Sequence, residues 1–153
     1  MTENTATEST ATENTATEST ATKQPPPPNV WPAFRANDAR ALIKFLVDAL
    51  GFEEVVVYGE GDRVDHAELA WPPGGGVMLG SARDVEQSGV TQPGHFSAYI
   101  VTSDPDALYS QAVAHGAKVT HELYETDYGS RDFAIEDPEG NRWSFGTYPG
   151  HPR

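Results

Sequence analysis

Cysteine is absent from this chain of 153 residues, and basic side chains are scarce, with 10 Lys and Arg against 23 Asp and Glu. Without cysteine, disulfide staples, thiolate metal sites and thiol nucleophiles are excluded. The shortage of basic residues argues against nucleic acid as a partner, because phosphate binding needs a basic face. It argues against an anionic membrane surface for the same reason. Long apolar runs are missing too, and no stretch approaches the about 20 residues that a spanning helix needs. The N-terminus has neither the basic start nor the apolar stretch of a secretory signal. The expectation is a soluble, cytoplasmic protein of one ordinary domain.

The first 28 residues are made of different material from the rest. TENTATESTA occupies 2–11 and returns unchanged at 12–21, and Pro25 to Pro28 follow as a stiff polyproline stretch. The repeat has no aromatic residue and no large aliphatic one after Met1. It cannot bury enough apolar surface to offset the entropy of ordering it, so a disordered tail and linker are expected over 1–28. Nine of residues 1–28 are Thr, so a phosphorylated or partner-binding tail is the alternative. The folded part is then 29–153, and it still carries a net charge of −10.

That folded part matches itself at an offset of 66 residues. Asp38/Asp104, Ala41/Ala107, Leu42/Leu108, Val47/Val113, Tyr58/Tyr124, Pro72/Pro138, Gly74/Gly140 and Gly80/Gly146 are identical pairs. The shared Pro-x-Gly turns and the shared helix-start Asp are positions where backbone geometry dictates the residue. Two copies of one motif follow, about 29–82 and 94–150, joined by a polar linker near Ala82–Pro93.

In each copy a strand (Val30–Arg35; His95–Val101) runs into a helix N-cap at Asn37-Asp38 or Ser103-Asp104, with Pro105 suited to the first turn. Leu42, Phe45, Leu46, Ala49 and Leu50 share one face of the first helix, and Leu108, Ala112 and His115 one face of the second. Gly51 and Gly116 are C-cap signals. Three strands follow each helix: Glu53–Tyr58, Arg63–Trp71 and Val77–Ser81, then Lys118–Tyr124, Ser130–Glu136 and Arg142–Tyr148. The reading is α+β, with two βαβββ modules forming a curved, mixed eight-stranded sheet whose concave face is the ligand cleft.

Asp127-Tyr-Gly-Ser-Arg-Asp-Phe, Asp137-Pro-Glu-Gly-Asn-Arg-Trp-Ser-Phe-Gly and Asp38…Gly51-Phe52 resemble the vicinal oxygen chelate superfamily. That superfamily holds glyoxalase I, fosfomycin-resistance proteins, extradiol dioxygenases and bleomycin-resistance proteins. The resemblance covers nearly all of 29–150 and implies a glyoxalase-like fold and a homodimer. Activity has to be argued from the cleft.

Metal-dependent members place His, Gln or Glu in the first strand of each module and Glu in a last strand. Matched to that pattern, the first-strand positions here are Trp31 and Ser97, and the last-strand positions are Met78 and Ser144. None is an imidazole or a carboxylate, so no metal or other cofactor is expected. Strand alternation sends Trp143 and Phe145 to the helix side and Ser144 to the cleft. It sends Ala67, Leu69 and Trp71 to the helix side and His66 and Glu68 to the cleft.

The expected lining is Trp31, Arg35, His66, Glu68, Met78, Ser97, Tyr99 and Ser144, with Tyr124, Tyr128 and Arg131 closing one end. Arg131 pairs with Asp132, Glu136 or Asp65, or holds an anionic ligand group. His66-x-Glu68 reads as a ligand contact or acid/base pair, as two ligands of a displaced metal site with His95 or His121, or as a solvated polar pair. His121 alternates with Val119 and Leu123, which suggests partial burial. Asp137 and Asn141 are turn residues rather than catalytic ones.

Three functions remain open. One is a bleomycin-resistance-like binder of an organic, cationic small molecule, favoured by the aromatic lining and the acidic charge. Another is a metal-dependent lyase, isomerase or dioxygenase using His66 and Glu68. The last is a regulatory or structural module.

Overall fold

The computed structural model describes residues 27–83 and 92–152, so the Thr/Glu repeat and the middle of the linker lie outside it. The elements are β1 (Ala33–Ala36), α1 (Ala39–Asp48), β2 (Glu53–Tyr58), β3 (His66–Ala70) and β4 (Gly76–Ser81), then β5 (Ser97–Val101), α2 (Pro105–Ala114), β6 (Lys118–Glu125), β7 (Arg131–Glu136) and β8 (Arg142–Gly146). This is the βαβββ unit twice, as the repeat predicts, with most strands a residue or more shorter than their sequence patterns.

Local chemistry sets the helix ends. The Asp38 side chain accepts the Ala41 N–H at 2.9 Å, and Asp104 accepts that of Ala107 at 3.0 Å. Gly51 (φ 81°) and Gly116 (φ 80°) follow the helices in the left-handed region, where a Cβ is disfavoured. Leu42, Ile43 and Leu46 of α1 are buried, as are Leu108 and Ala112 of α2. His115 corrects the expected α2 face. It is exposed at the C-cap with Nδ1 2.9 Å from the Gln111 carbonyl, because the helix has ended before the 3.6-residue period reaches it.

The strands do not form one eight-stranded sheet. They form two four-stranded sheets, ordered β1-β4-β3-β2 and β5-β8-β7-β6, with β1 parallel to β4 and β5 parallel to β8. The register repeats at the same offset of 66. Ala33, Met78 and Glu68 lie level in the N-terminal sheet, as do Tyr99, Ser144 and Ala134 in the C-terminal sheet.

Side chains join the sheets. Phe34 stacks on Phe96 with centroids 4.3 Å apart, and Trp143 touches Phe34, Phe52 and Phe96. Trp71 bridges Phe52 and Phe145. One core therefore serves both modules, and the inner faces of both sheets are buried in it. The free edge of β5 is met by a side chain rather than a strand, since the Trp71 indole N–H donates to the Val101 carbonyl at 3.2 Å. Glu139 closes a further junction. Its carboxylate accepts the backbone N–H of Asn37 (3.0 Å) and of Asp38 (2.7 Å), at the start of α1.

Candidate functional site

With both inner faces occupied, each sheet keeps an outer face open. On the N-terminal sheet the level row Ala33–Met78–Glu68–Val56 crosses β1, β4, β3 and β2, and His66 lies level with Tyr58 beside it. Glu68 and His66 face outward together, with Oε1 and Nε2 3.0 Å apart, and the Tyr58 ring stacks beside His66. Arg35 lies over Gly80, where a Cβ would collide with the guanidinium. Burial first, and then the like charges of Arg83 and Arg63, hold the Arg35 guanidinium below its usual range. Trp31 sits just before β1 and covers Gly76, its indole N–H donating to the Pro28 carbonyl at 3.1 Å.

The C-terminal sheet presents Tyr99–Ser144–Ala134–His121 as one outer row and Val101–Gly146–Asp132–Tyr124 as the next. Ser97, at the start of β5, is exposed one row further along. Tyr128, in the turn before β7, is exposed and meets the Tyr148 ring edge-on at 5.6 Å.

The expected lining is thus divided between two faces. Trp31, Arg35, His66, Glu68 and Met78 belong to the N-terminal sheet, and Ser97, Tyr99, Ser144 and Tyr128 to the C-terminal one. Arg131 lies on neither open face. It forms a two-pronged ion pair with Asp106 of α2, both contacts 2.7 Å, and a third bond to Glu125 at 3.1 Å. The partners expected from sequence, Asp132, Glu136 and Asp65, are not the ones it meets, because alternation in β7 turns Arg131 toward α2 and Asp132 away from it. Those hydrogen bonds hold the Asp106 carboxyl below the ordinary aspartate range and raise the Arg131 guanidinium.

His121 is a second correction. It is exposed, its ring 4.0 Å from that of Tyr124, because bulges on either side of it change the parity of β6. His121 belongs to the C-terminal sheet, so it does not join His66 and Glu68. Among the described residues no three His, Asp or Glu side chains converge in a way that could hold a metal ion.

Between the modules lies a groove of about 600 Å³, lined mainly by apolar side chains including Phe52, Trp71, Tyr99 and Val101. Sequence reasoning missed Asp132, buried on the outer face of β7. The signal that could have found it is the Gly80/Gly146 pair, since a repeated glycine inside a strand marks a close approach.

Comparison with known proteins agrees with this architecture. Residues 30–145 match the sequence model of the Glyoxalase/Bleomycin resistance protein/Dioxygenase superfamily. No curated protein matches the chain. Among solved structures, TioX from Micromonospora sp. ML1 is 28% identical with a TM-score of 0.60, over 76% of this chain and 94% of its own. A glyoxalase/bleomycin resistance protein from Catenulispora acidiphila is 21% identical with a TM-score of 0.59, over 79% of this chain and 98% of its own. A superfamily member from Sphaerobacter thermophilus is 22% identical with a TM-score of 0.57, over 74% and 91%.

Proposed function

Since the chain belongs to the Glyoxalase/Bleomycin resistance protein/Dioxygenase superfamily, we propose that it works as a small-molecule binder, holding an organic, cationic ligand against its open sheet faces. The reading rests on the four positions where metal-dependent members carry their ligands. Here they hold Trp31, Met78, Ser97 and Ser144. A Trp and a Met offer no hard-ion donor, and a serine hydroxyl is a poor primary ligand, so these residues do not fit a divalent ion. The same faces offer Trp31, Tyr58, Tyr99, Tyr124 and Tyr128, aromatic area with few polar handles, which suits an organic molecule. The net charge of −10 over residues 29–153 favours a cation.

The ligand cleft in this reading is completed by a homodimer. Tyr58, Tyr99, Val101, Tyr124 and Tyr128 are exposed, and an open sheet face rich in large apolar groups is a common interaction surface. Sedimentation velocity is expected to show one species at twice the chain mass. A monomer at micromolar concentration would remove the dimer from the proposal.

Thermal-shift titration with organic cations tests the function directly. A ligand present at about 100 times its Kd adds about 2.7 kcal/mol of apparent stability, a rise of several degrees. No stabilisation by any member of a broad cation panel would sink the reading. One observation favours a second reading, a metal-dependent lyase, isomerase or dioxygenase with a displaced site, namely the His66–Glu68 contact of 3.0 Å. Elemental analysis of protein purified without chelator separates the two. Stoichiometric Ni, Zn, Mn or Fe that His66→Ala abolishes would establish the second.

A further inference from the structure

Asp132 is 6% exposed, yet it has no cationic partner among the described residues. Its neighbour in sequence, Arg131, is engaged with Asp106 and Glu125 on the other side of the sheet. Ser130 donates its hydroxyl to Oδ1, and the Tyr148 N–H in turn donates to the Ser130 oxygen at 3.0 Å. Oδ2 has no hydrogen-bond partner there. Because no sealed side-chain oxygen in that set goes unpaired, Oδ2 keeps a path to solvent.

Tyrosines stand beside that carboxylate. Asp132 lies between Tyr124 on β6 and Gly146 on β8. A Cβ at Gly146 would overlap the Asp132 carboxylate and crowd the Tyr99 hydroxyl, so both groups converge over that glycine. The Tyr148 N–H also donates to the Tyr99 hydroxyl at 3.1 Å, and the Tyr128 ring packs edge-on against that of Tyr148 at 5.6 Å, which brings Tyr128 to the same corner. Burial, followed by the charges of Asp132, Tyr128 and Tyr99, raises the Tyr124 phenol above its usual range.

The internal repeat shows what is missing. In the N-terminal sheet the equivalent glycine, Gly80, is covered by the guanidinium of Arg35. Sixty-six residues on, Arg35 becomes Val101 and His66 becomes Asp132. One hollow therefore contains a built-in cation, and the other an anion with no counterpart among the described residues.

We propose that Asp132, walled by Tyr99, Tyr124 and Tyr128, is the seat for an alkylammonium group, the cationic end of a ligand held on the C-terminal sheet. The proposal rests on the binder reading above and specifies where the charge is recognised. A diffuse organic cation suits a tyrosine-rich corner with one free carboxylate oxygen. A guanidinium would leave most of its five donors unmet, and a hard metal ion would find a single carboxylate.

Choline and its neutral isostere 3,3-dimethylbutan-1-ol, titrated into the full chain by NMR, test this. Choline is expected to bind about tenfold more tightly, with its N-methyl protons shifted upfield by the tyrosine rings. Asp132→Asn should erase that preference, and Tyr128→Ala, at an exposed position, should weaken it about threefold. Equal binding of the two probes by the wild type would overturn the ammonium seat and leave the binder reading standing. So would a choline preference that survives Asp132→Asn. If neither choline nor any other cation binds, both readings fail. If Asp132→Asn does not fold, the wild-type methyl shifts and Tyr128→Ala decide the matter.

Discussion

Replacing Asp137 with alanine is expected to destabilise the domain by about 3–5 kcal/mol, enough to leave little of the stability of a protein this size. The Asp137 carboxylate is buried in the turn between β7 and β8. Oδ1 accepts the backbone N–H of Glu139 at 2.9 Å and of Asn141 at 3.0 Å. Oδ2 accepts the Asn141 amide at 2.8 Å and the Trp143 indole N–H at 2.9 Å. Asn141 passes the network on, its Oδ1 accepting the Phe96 N–H at 3.0 Å ahead of β5. Alanine strands four donors, three of them on buried residues. Asp137→Asn should cost about half as much, because the shape survives but the amide nitrogen faces two donors where an oxygen accepted them. Urea denaturation measures both, with the midpoint falling and the slope unchanged. An Asp137→Ala loss under about 1 kcal/mol would show that the turn holds its shape without the carboxylate.

Trp143→Ala should cost a similar amount, about 3–5 kcal/mol, as lost burial plus the cavity left behind. Trp143 is fully buried, and its contacts come from both modules: Phe34 at 6.0 Å, Phe52 at 5.7 Å and Phe96 at 5.2 Å. The cavity would open where the two halves meet, so the unfolding transition should broaden or split as the modules lose their shared core. Trp143→Phe keeps most of the apolar area and loses only the N–H to Asp137, a cost of about 1–2 kcal/mol. Combining Trp143→Phe with Asp137→Asn should cost less than the two separately, since both act on one oxygen. A sharp single transition in Trp143→Ala, close to the wild-type midpoint, would mean that the halves do not depend on this contact.

Much of this architecture was legible before any coordinates. The 66-residue offset predicted two βαβββ units, and the strand registers repeat with the same offset. Asp38, Asp104, Gly51 and Gly116 marked the helix ends, because capping is decided within a few residues. Alternation placed His66 and Glu68 outward and Trp143 and Phe145 inward, since β3 and β8 carry no bulge. Alternation failed at His121, where bulges reset the parity of β6.

By itself, the sequence determined the repeat, the caps and the turn chemistry. All of these depend on residue identity or on neighbours close along the chain. Only the tertiary structure decided that the sheets join through Phe34, Phe96 and Trp143 rather than edge to edge, and that Arg131 meets Asp106 and Glu125. It alone placed Asp132 over Gly146 among tyrosines. Such contacts bring together residues far apart along the chain, and which of them form depends on how bulky side chains from two modules fill one volume, a property that no local pattern encodes.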